Sequence, residues 1–152
     1  MEEWQERTRL LLGEEKLARL AAAHVLVVGL GGVGAYAAAM IARAGVGRMT
    51  VADADTVSLT NINRQLVALR STVGRPKAEV LAERLRDINP QLELRVVCRY
   101  IRDEETDLLL DAARYDYAVD AIDTLSPKLA LICGCLLRDI PPVSYTHLTL
   151  PT

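Results

Sequence analysis

The spacing of apolar positions changes several times along this chain, and each change marks an element. Over residues 4–20, Leu10, Leu11, Leu17 and Leu20 recur among Glu6, Glu14, Glu15 and Lys16 with Gly13 between them, which predicts a lead-in of two short amphipathic helices. From His24 the text turns continuously apolar and β-branched. Val25-Leu26-Val27-Val28, stopping at Gly29, reads as a strand buried on both faces and therefore as the first strand of a parallel sheet. Gly34 to Ala44 is alanine-rich and ends at Gly45, which predicts a closely packed helix with a glycine stop.

Met49 to Ala52 predicts a second strand, ending in Asp53-Ala54-Asp55. Pro76 opens a helix that places Ala78, Leu81, Leu85 and Ile88 on one face and Glu79, Glu83, Arg84 and Arg86 on the other, and Pro90 ends it. Leu92–Val97 predicts a third strand, Glu104–Ala113 a short helix, Tyr117–Ile122 a fourth strand and Pro127–Arg138 a further helix. Strands and helices alternate throughout, so the expected fold class is α/β, a Rossmann-like doubly wound, mostly parallel sheet with an N-terminal helical lead-in.

Composition narrows the classes rather than choosing among them. The 152 residues, 51% hydrophobic and 25% charged, suffice for one ordinary core and give no disordered or fibrous signature. A formal net charge of -2 supplies no global basic footprint, so an RNA partner would need a local patch or residues outside this chain. The N-terminus lacks a signal-peptide pattern and no run of about 18 apolar residues could cross a membrane, so a cytoplasmic protein is expected. Cys98, Cys133 and Cys135 are too few and irregular for a disulfide framework. Cys133-Gly134-Cys135 offers a metal only two ligands, and buried helix thiols are the expectation there.

The candidate chemistry starts at Gly29-Leu30-Gly31-Gly32-Val33-Gly34, between a predicted strand and a predicted helix. Gly29, Gly31, Gly32 and Gly34 let the backbone turn tightly and approach phosphates, whose charge is favoured by free N–H groups and the helix dipole. Asp53, about 20 residues further on at the end of the second strand, can accept hydrogen bonds from ribose hydroxyls. These residues alone fit a nicotinamide dinucleotide as well as ATP.

The discriminating stretch is Asp53-Ala54-Asp55-Thr56-Val57 through Asn61-Ile62-Asn63-Arg64-Gln65, followed by Gly74-Arg75-Pro76-Lys77. A hydride-transfer domain has no need of it. Asn61, Arg64 and Lys77 can donate hydrogen bonds and positive charge to a triphosphate, offsetting charge that develops at the α-phosphorus. Asp123, at the end of the fourth strand, is placed to hold Mg2+ at the sheet edge where open α/β folds bind ligands.

Together, the glycine loop, the Asp-x-Asp-x-Val-x-x-x-Asn-x-x-Arg-Gln string, Lys77 and Asp123 resemble the adenylation domain of the ubiquitin-activating-enzyme-like superfamily over roughly residues 7–142. Two departures separate this chain from the sulfur-carrier activators of that superfamily. Asn63 stands where they usually have glutamine, and Thr124-Leu125 follows Asp123 where they usually have asparagine. The resemblance therefore points to members that act on tRNA. It implies ATP-dependent adenylation of a carboxylate, with ATP and Mg2+ as cofactors, and most closely dehydration of tRNA N6-threonylcarbamoyladenosine to its cyclic form.

In that reading Asp53 meets ribose, Asp55 belongs to the nucleotide-binding string, Asn61, Arg64 and Lys77 meet the triphosphate, and Asp123 helps place magnesium. The resemblance also implies a homodimer at full length, in which an N-terminal arginine reaches the partner's phosphates. Arg7 is the candidate, with Arg9 in reserve. A sulfur-transfer partner belongs to the same implication. The rival readings are activation of the C-terminus of a ubiquitin-like sulfur carrier, a catalytically idle scaffold, and a nicotinamide-binding module.

After Pro142 the character of the chain changes. Residues 143–152 have no helical face and offer no expected end to an open sheet, and the decapeptide is similar to a translated transposon-end adapter. That similarity implies a non-native tail, with residues 1–142 forming the N-terminal part of the adenylation domain. A C-terminal half would then be missing and the fragment inactive. Ser144, Tyr145 and His147 accordingly carry no functional weight in this reading.

Overall fold

A computed structural model describes residues 3–102 and 104–145. A 3-10 turn at Glu3–Gln5 leads into α1 (Glu6–Leu12) and α2 (Glu14–Ala22), the two short helices that Gly13 separates. There follow β1 (His24–Val28), α3 (Gly34–Ala44), β2 (Arg48–Ala52), α4 (Lys77–Ile88), β3 (Glu93–Val97), α5 (Glu104–Asp111), β4 (Tyr117–Asp120), α6 (Leu125–Leu136) and β5 (Pro142–Ser144).

The five strands lie in the order β3-β2-β1-β4-β5, every neighbouring pair parallel. All five residues of β1 are buried, as its unbroken apolar run requires of a strand covered on both faces. Alternation along the strands divides the core. Val25, Val27, Met49 and Val51 face Ala35, Ala38 and Ala42 of α3 and Ala78, Leu81 and Leu85 of α4. Leu26, Val28, Ala52 and Ala118 face Leu109 and Leu110 of α5 and Leu131 and Cys135 of α6. The chain leaves β1 to build β2 and β3 on one side and returns to build β4 and β5 on the other. The crevice between the C-terminal ends of β1 and β4 is thus the switch point where this architecture binds ligands. Among the described residues, no helix is long and apolar enough to cross a membrane.

Two expectations need correction. Residues 142–144 do extend the sheet, with Val119 opposite Val143 and Asp120 opposite Ser144. Parallel pairing runs through main-chain groups, so a short edge strand forms without the apolar run that betrays a central one. Residues 146–152, His147 included, lie outside the described residues. The second correction concerns the paired thiols, of which Cys135 is buried and Cys133 exposed. Helical positions two apart point to nearly opposite sides. Only Cys135 faces the sheet.

Candidate functional site

A cavity of about 660 Å³ opens at the switch point, within the size range of a nucleotide pocket. Its floor is the glycine loop joining β1 to α3, and the four glycines divide into two pairs. Gly29 has φ +87°, and a Cβ there would lie 2.6 Å from the Ala121 carbonyl oxygen. A Cβ at Gly34 would overlap the carbonyl oxygen of Gly29 and touch Ala121. These two let β1, α3 and the end of β4 meet. Gly31 and Gly32 instead line the cavity, where an added Cβ would come no closer than 3.5 Å to Gln65 and 3.7 Å to Arg64, ordinary van der Waals contact. The N-cap residue of α3, Val33, makes no side-chain cap hydrogen bond, which leaves the helix N-terminus for an anion to meet.

Asp53 and Asp55 enter from the end of β2. The Asp53 carboxylate accepts N–H groups of Leu30 and Asp55, both at 2.7 Å. Burial raises its pKa above the ordinary aspartate value, against the lowering effect of those two hydrogen bonds and of the Lys77 charge.

Lys77 is delivered by a short antiparallel zipper. Thr56 bridges Pro76, the Val57 N–H donates to the Arg75 carbonyl at 2.8 Å and the Gly74 N–H to the Val57 carbonyl at 2.8 Å. The Lys77 N–H then donates to the Asp55 carbonyl at 2.9 Å, and its Nζ reaches Asp55 Oδ2 at 3.1 Å. The Lys77 side chain is only 7% exposed whereas Asp55 is 56% exposed. An ammonium is therefore held inside the wall with its countercharge at the mouth.

Arg64 also lines the cavity, its Nη1 donating to the Thr60 carbonyl at 3.1 Å and to Asn63 Oδ1 at 2.9 Å. Asn61 is not in the wall. Its Oδ1 accepts the Ser58 N–H at 3.0 Å in a capping box that shapes the 59–61 turn. The structure thus brings Arg64 and Lys77 together and uses Asn61 to build the loop carrying Arg64. Asp123 stands on the opposite lip, between β4 and α6, and the Thr124 hydroxyl donates to its Oδ1 at 3.4 Å. Arg7 is exposed on α1 and lines no part of this cavity.

Several wall residues carry no assigned role in the sequence reading. Arg99 and Tyr100, in the loop after β3, border the cavity; their signal was their place at the C-terminal end of a strand. Gln65 is 9% exposed, and its Oε1 is buried without a hydrogen-bond partner among the described residues. An orphaned acceptor at a cavity wall is a place for a ligand donor. Tyr145, set aside with the tail, reaches the rim.

The arrangement provides backbone donors and two cationic side chains for an anion, with carboxylates for hydroxyls or a cation on either side. Among the described residues, no group of three or more His, Cys, Asp or Glu could hold a metal unaided. The Asp123 and Asp55 carboxylates at the cavity are oxygen donors of the kind that hold Mg2+ together with phosphate oxygens.

Residues 5–148 match the ThiF family. The chain is 44% identical over 144 residues to the tRNA threonylcarbamoyladenosine dehydratase of Escherichia coli, covering 93% of this chain and 53% of that protein. It is also 44% identical over 138 residues to the enzyme of that name from Bacillus subtilis, covering 91% of this chain and 54% of the relative. The chain spans about half the length of these relatives. The crystal structure of E. coli tRNA N6-threonylcarbamoyladenosine dehydratase in complex with ATP superposes with a TM-score of 0.88 at 44% identity, covering 95% of this chain and 60% of that one.

Proposed function

Because this chain belongs to the ThiF family, we propose that it is the ATP-binding part of an adenylate-forming enzyme whose whole form dehydrates tRNA N6-threonylcarbamoyladenosine to the cyclic base. The observation that carries this reading is the meeting of the Gly31-Gly32 backbone with Arg64 and Lys77 around one cavity. The relatives at 44% identity supply the substrate, and the relative crystallised with ATP supplies the nucleotide.

In the proposed complex, the phosphates lie over Gly31 and Gly32 at the N-terminus of α3, and Asp53 accepts ribose hydroxyls. Lys77 and Arg64 donate to the triphosphate, with Asn61 and Asp55 holding the segments that carry them. Mg2+, held by Asp123 and phosphate oxygens, would supply further neutralisation of the phosphate charge. A carboxylate cannot expel its own oxygen readily. Attack of that oxygen on the α-phosphorus releases pyrophosphate and leaves an acyl-adenylate, whose AMP is a good leaving group. Ring closure within the threonylcarbamoyl group then expels AMP, so the base loses one water overall. Arg64 and Lys77 assist by donating to oxygens that gain charge as the α-phosphorus is attacked.

The same reading makes the whole enzyme a cytoplasmic homodimer with Arg7 acting in trans. It gives the 152-residue chain nucleotide binding without turnover. It also makes residues 143–152 foreign to the native protein, which the natural gene read past codon 142 will test.

The decisive assay offers threonylcarbamoyl-modified tRNA and ATP with magnesium to the intact gene product and follows the base by mass. Loss of one water, abolished in Arg64→Ala and Asp123→Ala, supports the proposal. An unchanged tRNA, with pyrophosphate exchange appearing only on addition of a ubiquitin-like carrier, would move the protein to the sulfur-carrier activators.

A further inference from the structure

Beside the cavity lies a buried ion pair that the adenylation reading does not use. Asp120, the last residue of β4, is 0% exposed, and Lys128, in the first turn of α6, is 8% exposed. Lys128 Nζ donates to Asp120 Oδ2 at 2.6 Å, while Asp120 Oδ1 accepts the N–H of Ile122 at 3.1 Å. The same ammonium donates to the Tyr145 carbonyl at 2.8 Å and approaches Ser144 Oγ at 3.3 Å. The Ser144 hydroxyl donates to Asp120 Oδ2 at 2.7 Å. The two contacts within residues 1–142, Lys128 to Asp120 and the Ile122 N–H to Asp120, tie together the end of β4, the 121–124 loop and the start of α6; the contacts of Ser144 and Tyr145 belong to the tail proposed as foreign and are no part of the clamp.

Neither residue lines the cavity, so neither touches a ligand there. Taking two charges out of water is costly, and an apolar pair of equal volume often serves stability as well or better. What such a pair adds over an apolar one is direction, since both charges must be met at fixed distances and angles. Here the directed element is the loop bearing Asp123. The loop's first residue also abuts the glycine loop, through the contact between the Ala121 carbonyl and Gly29. A displaced loop would move the Asp123 carboxylate and the phosphate floor together.

We propose that Lys128 and Asp120 are positioning residues, a buried clamp that sets the 121–124 loop and with it Asp123 at the mouth of the site. The part of this inference that concerns magnesium rests on the nucleotide reading; the part that concerns the loop does not.

The test pairs amide hydrogen exchange with ATP titrations of the 152-residue chain, with and without Mg2+. In the double variant Lys128→Met with Asp120→Leu, which removes both charges, amides of the 121–124 loop should exchange about tenfold faster or more while those of β2 keep their protection. The gain in ATP affinity that Mg2+ gives the wild type should fall to that of Asp123→Ala, with the magnesium-free affinity retained. A merely structural role would weaken binding equally with and without the metal. Lys128→Arg keeps the ion pair and covers the case in which the double variant fails to fold; its loop should exchange within about twofold of wild type. Unchanged exchange and an unchanged magnesium effect in the double variant would overturn the proposal. So would fast loop exchange in a folded Lys128→Arg protein. Should the wild-type chain bind no ATP, the nucleotide reading fails and the exchange measurement alone decides the clamp.

Discussion

Asp53 Oδ2 accepts the backbone N–H of Leu30 at 2.7 Å, so one carboxylate fixes the distance between the end of β2 and the glycine loop. Its other oxygen accepts the N–H of Asp55 at 2.7 Å, which turns the chain toward the Lys77 zipper. A carboxylate oxygen can accept more than one hydrogen bond. The ribose hydroxyls assigned to Asp53 therefore add to these contacts and need not displace them. The residue proposed to meet the ribose is also one that shapes the floor of the cavity.

A pH dependence follows from this burial. The folded pKa of Asp53 is raised, by desolvation first, above the ordinary value of 3.8. A carboxyl with a raised folded pKa contributes stability that is fully present below its unfolded pKa and is lost as pH rises through its folded pKa. Compared with Asp53→Asn, which cannot ionise, the wild type should lose melting temperature as pH climbs above about 3.8, the ordinary aspartate value, and through the raised folded pKa. Thermal unfolding of both proteins across that window checks it, and a gap that widened in favour of the wild type would reverse the sign.

The glycine loop should divide under mutation. Gly34→Ala drives a methyl into the Gly29 carbonyl, and Gly29→Ala combines φ +87° with a 2.6 Å approach to Ala121. Each should destabilise the fold by about 3 kcal/mol or more in denaturant titration. Gly31→Ala and Gly32→Ala meet nothing closer than 3.5 Å, and should unfold at nearly the wild-type midpoint. Their methyls would stand where the proposed complex places the phosphates, so calorimetry should show ATP affinity reduced about tenfold or more. Equal destabilisation of all four would show that the loop has no open pair.

Much of this was legible in the text. The run from Val25 to Val28 can be satisfied only by burial on both faces, and Ala78, Leu81 and Leu85 fall on one side of any helix drawn through them; the structure buries each. Local sequence cannot show what main-chain pairing alone provides, and β5 was missed for that reason. Nor can it show where a short polar side chain spends its hydrogen bonds. The string that places Asn61 among the nucleotide residues does not show that its oxygen closes a capping box with Ser58. Arg99 and Tyr100 meet the cavity only because β3 lies two strands from β1, a fact of topology. That Lys128 is buried against Asp120 shows only once α6 is laid over β4.

The remote position of Arg7 gives a complementation test. A Cβ at Gly45 would run into Gln5, which places the start of α1 at the corner between α3 and β2, at the end of the sheet opposite the cavity. Arg7→Ala should leave ATP affinity of the 152-residue chain unchanged, yet abolish AMP formation by the intact enzyme. Mixing intact Arg7→Ala and Asp123→Ala subunits then restores one complete site per mixed dimer, or roughly one quarter of wild-type activity at equal mixing. No recovery, with dimer exchange verified, would end the trans assignment.

Lys77 and Asp55 can be separated because burial treats them unequally. Asp55→Ala strips the countercharge from an ammonium whose side chain is 7% exposed, leaving a buried charge unpaired. Because Asp55 itself is 56% exposed, part of its field is already screened, and the expected loss of stability is modest, about 1 kcal/mol. Lys77→Met removes the buried charge, leaves Asp55 to solvent, and should unfold at or above the wild-type midpoint. Yet it should lose ATP affinity about tenfold or more, since the cation aimed at the phosphates is gone. Stability and binding would then move in opposite directions in one variant, measurable by denaturant titration and calorimetry on the same sample. If Lys77→Met instead weakened the fold and spared ATP binding, Lys77 would be a structural cation and the phosphate charge would fall to Arg64 alone.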